Sequence, residues 1–180
     1  MSIIFLDFET TGLLRAQASN LDDQPKAIEF YGLRLDDNLE FISEFETFIF
    51  PSVKIPEHIT KLTGIDDKMV EAAPSFPFVY DKICDLFLGA KTVVAHNAPF
   101  DMGIMWVELS RMDKEFNFPW PPERICTVEK SYSIKNRRLK LSDLHEMMTG
   151  EKHKEGAHRA KHDVFALVRC YKGLKERGLI

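Results

Sequence analysis

Ser2-Ile3-Ile4-Phe5-Leu6-Asp7-Phe8-Glu9-Thr10-Thr11-Gly12 is a near-continuous apolar run interrupted by two carboxylates. Residues 2–9 read as a buried strand, because apolar side chains occupy both pleat faces rather than alternating with polar ones. Thr10, Thr11 and Gly12 end it. A strand's period of two puts Asp7 and Glu9 on one face with Ile3 and Phe5. A solvated strand end would explain D-x-E by itself, so its meaning depends on what the rest of the chain brings to the same face.

Outward from this strand, a polar loop at residues 19–25 leads to a second strand at 27–35. Asp36-Asp37-Asn38 supplies a hairpin-type turn, and a third strand follows at 41–50, with Phe41, Phe45 and Phe48 among its apolar positions. Three successive strands predict an antiparallel meander. Past Pro51 the pattern turns helical, with segments at 57–62 and 76–88. A short strand is expected at 92–95, then a helix with Pro99 in its first turn running to about Met112. A strand at 125–127, two helical pieces and a closing helix at 159–177 complete an α/β layer fold.

Two further carboxylates fall where the helical pattern calls for apolar residues. Asp101 shares a helix face with Ile104, Met105, Leu109 and Met112. Alone it is an ordinary first-turn acid, favoured by the helix dipole at about 0.3–1 kcal/mol. Asp163 lies on the stripe of Ala160, Ala166, Leu167, Cys170 and Leu174. An unpaired carboxylate there costs several kcal/mol, so an ion pair or a metal is expected. His158 precedes it by five residues and falls in the loop before the helix. If the first strand is central and both helices cover it, Asp7, Glu9, Asp101 and Asp163 converge. Repulsion would then raise some of their pKa values, and two divalent cations would cancel four charges. Oxygen-only donors suit Mg²⁺ or Mn²⁺. Two such ions support in-line phosphoryl displacement, with a neutral histidine as base for the attacking water.

The same residues resemble the DEDDh group of 3′–5′ exonucleases, in particular the DnaQ-like proofreading subunits of bacterial replicative polymerases. Asp7-Phe8-Glu9-Thr10-Thr11-Gly12 resembles the first motif and Leu62-Thr63-Gly64-Ile65 the T-G-I segment. His96-Asn97-Ala98-Pro99-Phe100-Asp101 resembles H-N-x-x-F-D, and His158-Arg159-Ala160-Lys161-His162-Asp163 resembles H-R-A-x-x-D. All four occur in the family's order.

The resemblance implies an RNase H-like fold, a mixed five-stranded sheet with its first three strands antiparallel, covered by helices in one exonuclease domain spanning 1–180. It implies that Asp7, Glu9, Asp101 and Asp163 ligate two Mg²⁺ or Mn²⁺ ions with His158 as general base. It also implies that the backbone at Thr10 and Thr11 cradles the terminal nucleotide, that Leu62 is an apolar wedge, and that Asn97 orients its loop or contacts substrate. Proofreading relatives carry a glutamate before T-G-I that meets the 3′-hydroxyl. Here that place holds His58, beside Glu57. The chain ends directly after its last helix, with no polymerase-tethering tail, which points to a stand-alone nuclease. A polymerase partner and a homodimer both remain open.

The expected reaction is release of nucleoside 5′-monophosphates from single-stranded or frayed DNA. RNA trimming is the alternative, since sugar choice depends on the shape around the 2′ position. A non-catalytic nucleic-acid-binding module would be expected to have lost a ligand or the histidine, and all five are present. Candidate backbone contacts are Lys135, Arg137, Arg138 and Lys140 with Tyr132 nearby, and Lys152, Lys154, Arg159 and Lys161. His145 and His153 read as surface residues, and Trp106 as packing.

Composition agrees. The 180 residues are 44% hydrophobic and 29% charged, a globular balance. A net charge of −4 argues against coating nucleic acid by bulk electrostatics. No apolar run approaches the roughly 20 residues of a membrane span, and no signal peptide is seen. Three scattered cysteines suit a reducing cytoplasm.

Overall fold

Strand β1 (Ser2–Thr10) occupies the middle of a five-stranded sheet. The computed structural model describes residues 1–152 and 159–180. β2 (Ala27–Asp36) and β3 (Phe41–Phe48) complete the antiparallel meander. Helices α1 (Glu57–Thr63), α2 (Asp67–Val70) and α3 (Phe76–Phe87) follow. β4 (Thr92–Ala95) then pairs parallel to β1 on its other side, and α4 (Ala98–Ser110) leads to β5 (Glu123–Cys126), parallel to β4. The spatial order is β3-β2-β1-β4-β5. Short helices α5 (Thr127–Lys130) and α6 (Tyr132–Lys135), then α7 (Leu141–Thr149) and α8 (Ala160–Glu176), finish the chain.

The two apolar faces of β1 serve two cores. Ile4, Leu6 and Phe8 join residues of α3 and α4, including Ile83, Phe87, Ile104 and Met105. Ile3 and Phe5 pack with Tyr31, Leu33, Val94, Val164 and Leu167 beneath α8. Asp7 and Glu9 continue the α8 face to the carboxyl end of the strand. β1 is flanked by β2 on one side and β4 on the other, so its carboxyl end is a topological switch point, where open α/β sheets bind ligands.

Most predicted elements are present, with bounds shifted by at most two residues. Three helices rather than two, α5, α6 and α7, lie between β5 and residue 152. The four-residue α2 went unread, being too short for periodicity to register. Among the described residues, no helix is long and apolar enough to cross a membrane. Cys84, Cys126 and Cys170 are free thiols.

Candidate active site

Asp7, Glu9 and Asp163 bring one carboxylate oxygen each to within 4.8 Å of one another. The strand pleat sets the first two side by side, and α8, seated on the same face through Val164 and Leu167, supplies the third. The solvated strand end considered for D-x-E is therefore not what occurs, since β1 is central and paired on both sides.

Asp101 reaches the group from α4. Its pairing with β4 carries β1 only as far as Phe5 opposite Val94, so the Phe8 N–H is left for the Asp101 carboxylate, to which it donates at 3.2 Å. Asp101 is 2% exposed. Burial pushes its carboxyl up to about 8, with the N–H bonds of Phe8 and Asp101 itself pulling the other way. Burial also pushes Glu9 up to about 8, reinforced by Asp163, Glu29 and Asp101 and opposed by Arg159. Asp7 is raised well above the ordinary carboxylate range by burial and then by Asp101, Glu9, Asp163 and Glu29. An oxygen-only set of buried carboxylates whose ionisation is resisted in this way fits divalent cations.

The motif residues around the carboxylates have local reasons. His96 is bound through Nδ1 to the Thr127 hydroxyl at 2.9 Å and through Nε2 to the Leu139 carbonyl at 3.1 Å. Burial lowers its pKa to about 4, so the ring is neutral. Asn97 adopts a left-handed conformation, φ 68°, which turns the chain from β4 into α4. Its side chain makes no cap bond. Instead its Oδ1 accepts from Arg138 Nη2 at 2.6 Å.

In the T-G-I segment, Gly64 ends α1 in the left-handed conformation, φ 74°, its N–H returning to the Thr60 carbonyl. The Thr63 hydroxyl donates to the Ile59 carbonyl and accepts from the Ile65 N–H. Leu62 is left 54% exposed. A register shift between Glu9 and Thr10 against β2 frees Ile28 to pack with Ile55, Ile59 and Ile65 under this turn.

Both threonines of the first motif hold the loop. The Thr10 hydroxyl donates to the Gly12 carbonyl at 2.6 Å, and Thr11 Oγ1 accepts from the Lys26 N–H at 2.9 Å. Leu14 packs on Gly103, where a Cβ would come within 2.5 Å of Leu14 Cδ1, so the loop lies directly on α4. An open groove of about 570 Å³ beside Thr11 and Gly12 is lined by Arg15, Lys26, Lys54 and His58, among others.

Several sequence readings change. His158, His153 and Lys154 lie outside the described residues. His145 is not a surface residue. It is 3% exposed, with Nδ1 at 3.1 Å from the Glu151 carbonyl, because the helical phase of α7 turns it beside buried Leu144. Arg159 and Lys161 are not free for phosphate, as Arg159 forks onto Glu29 and Lys161 pairs with Glu46 at 2.7 Å. Arg138 is tied to the second motif through Asn97. Trp106 does pack, stacked on Trp120 and edge-on to Phe116.

Glu29 was missed altogether. Its signal was available, an acid inside the apolar run Ala27-Ile28-Glu29-Phe30-Tyr31.

The sequence profile of the exonuclease family (RNase T) matches residues 4–171. The chain is 33% identical over 174 residues to a PolC-type DNA polymerase III of Clostridium perfringens, covering 96% of this chain and 11% of that protein. The chain thus spans about a tenth of that relative's length. The nuclease domain of 3′hExo, a DEDDh family member bound to rAMP, superposes with a TM-score of 0.75 at 19% identity, covering 98% of this chain and 92% of that one. Exonuclease I of E. coli in complex with a dT13 oligonucleotide gives 0.75 at 19%, covering 98% and 41%. At that identity these two establish the shared fold. Because the family match takes in all the motif segments, the chain belongs to the exonuclease family.

Proposed function

We propose that this chain is a 3′–5′ exodeoxyribonuclease that removes nucleoside 5′-monophosphates from single-stranded or frayed DNA ends. The carrying observation is the meeting of Asp7, Glu9 and Asp163 within 4.8 Å, with Asp101 docked beside them, in a chain of this family. Similarity to a PolC-type DNA polymerase III favours DNA over RNA.

The four carboxylates would hold two Mg²⁺ or Mn²⁺ ions. Bound there, such ions lower the pKa of the attacking water and stabilise the charge on the leaving oxygen. His158 takes the proton from that water. Water oxygen bonds to the terminal phosphorus, the bond to the penultimate 3′-oxygen breaks, and that oxygen takes a proton from solvent. The products are a nucleoside 5′-monophosphate and a new 3′-hydroxyl. The backbone at Thr10 and Thr11 cradles the terminal nucleotide, exposed Leu62 wedges against its base, and Asn97 presents Arg138 to a backbone phosphate. A polymerase partner is consistent with the PolC relative.

The test uses matched 5′-labelled single-stranded DNA and RNA with Mg²⁺ or with EDTA. A Mg²⁺-dependent ladder shortening from the 3′ end, faster on DNA, is expected. A faster RNA ladder would reassign the substrate, and no shortening with Mg²⁺ or Mn²⁺ would remove the nuclease reading.

A further inference from the structure

Glu29, the third residue of β2, is the Cα partner of Glu9 on β1, and only 2% of it is exposed. A buried carboxylate needs compensation, and here both oxygens are occupied. Arg159 Nη2 donates to Oε1 at 2.7 Å, and Arg159 Nε donates to Oε1 at 2.9 Å and Oε2 at 3.2 Å. The Ala160 N–H donates to Oε2 at 3.0 Å. The Arg159 guanidinium also lies 4.9 Å from the centre of the Phe48 ring.

Helix α8 has no side-chain cap of its own at Arg159. Glu29 fills that place from another element, meeting one of the orphan donors of the first turn. The helix is thereby pinned to the sheet three residues before Asp163, a rise of about 4.5 Å at 1.5 Å per residue. Height and rotation of the first turn over β1 are set at that point. Stability alone is a poor reason for the arrangement. Buried ion pairs are often replaceable by apolar residues without loss, and Glu29 adds a negative charge beside a cluster already crowded with them.

We infer that Glu29 is a positioning residue for the nuclease reaction: through the Arg159 fork and the Ala160 N–H it fixes the register of α8 so that the Asp163 carboxylate meets Asp7 and Glu9. The inference rests on the metal-dependent exonuclease reading, and its consequence for cation binding can be measured without turnover.

The experiment compares the wild-type chain with Glu29→Gln, Arg159→Lys and the double variant Glu29→Gln/Arg159→Gln. Mn²⁺ affinity is measured by calorimetry without nucleic acid, kcat and KM on a labelled single strand, and Tm in parallel. Glu29→Gln is expected to weaken Mn²⁺ binding and lower kcat by roughly 10–100-fold each, as for other residues that orient metal ligands, with little change in KM. Arg159→Lys, which keeps the charge and loses the fork, should move both in the same direction. The double variant should fall no further than Glu29→Gln, because the pair acts as one unit. Wild-type Mn²⁺ affinity and kcat per folded molecule, with only Tm lowered, would overturn the inference. If Glu29→Gln does not fold, Arg159→Lys decides by the same readouts. A wild-type chain that takes up Mn²⁺ but does not cut would sink the nuclease reading and leave the positioning claim to the Mn²⁺ titrations. One that does neither would overturn both.

Discussion

Asp101 accepts the Phe8 backbone N–H at 3.2 Å, so it joins the second motif to the first by a hydrogen bond as well as bringing a carboxylate to the cluster. The two functions separate in Asp101→Asn. The amide oxygen can still accept from Phe8, while the negative charge is gone. The variant should fold and lose activity by roughly 10³-fold, since a cation ligand accounts for several kcal/mol at about 1.36 kcal/mol per decade. Its metal-free Tm at pH 8.5 should exceed that of the wild type, because one member of a repelling set is neutral. Labelled-strand cleavage and thermal melts in EDTA check both outcomes.

Burial raises Glu9 and Asp101 to about 8, from ordinary values of 4.5 and 3.8, with repulsion from neighbouring carboxylates adding to the rise at Glu9. Between those limits the folded chain holds protons that the unfolded chain has released. Their contribution to stability is complete below the unfolded values and is lost as pH rises through about 8. His96, held near 4, acts oppositely, but only below its ordinary 6.5. In EDTA, Tm should therefore fall from pH 6.5 to pH 8.5. Millimolar Mg²⁺ should flatten that slope, and a Tm that rose over the interval in EDTA would contradict the electrostatics.

Removal of His158 should separate turnover from cation binding. His158→Ala is expected to lower kcat by roughly 10²–10⁴-fold, the usual range for a general base, with Mn²⁺ affinity unchanged by calorimetry. Loss of Mn²⁺ binding in this variant would make the residue a ligand.

His96 belongs to the scaffold. His96→Ala leaves the Leu139 carbonyl and the fully buried Thr127 hydroxyl without their ring partner. Unsatisfied buried groups cost about 1–3 kcal/mol each. A denaturant midpoint lower by the equivalent of roughly 2–3 kcal/mol is expected. Unchanged stability would show that the two groups find other partners.

Arg138→Ala tests the path of the strand. One lost phosphate contact should reduce the slope of log K against log salt by about 0.7 for single-stranded DNA, measured by anisotropy titrations in Ca²⁺ at several salt concentrations. An unchanged slope would remove Arg138 from the path.

The fold was legible because β1 is apolar on both faces and the helices obey their own period. Asp163 was legible for the same reason, as a charge on the stripe of Ala166, Leu167 and Cys170 that packing alone would not choose. Pairings between distant segments were not. Glu29 meets Arg159 across 130 residues, and neither local periodicity nor spacing carries a cross-strand register. His145 misled because a histidine in a short helix has no telling neighbours until α7 is docked against α8. Asn97 stands at the N-cap of α4, a place that asparagine favours, yet its backbone is left-handed and its side chain bonds Arg138 instead of capping the helix.

The carboxylates that meet at the end of β1 come from the start, the middle and the last helix of the described chain. Any fragment that contains them all must run from residue 7 to residue 163, and a chain with α8 undocked has an incomplete set. A complete carboxylate set thus requires α8 to be docked on β1. Any treatment that frees this helix would disarm the proposed nuclease even with the sheet intact.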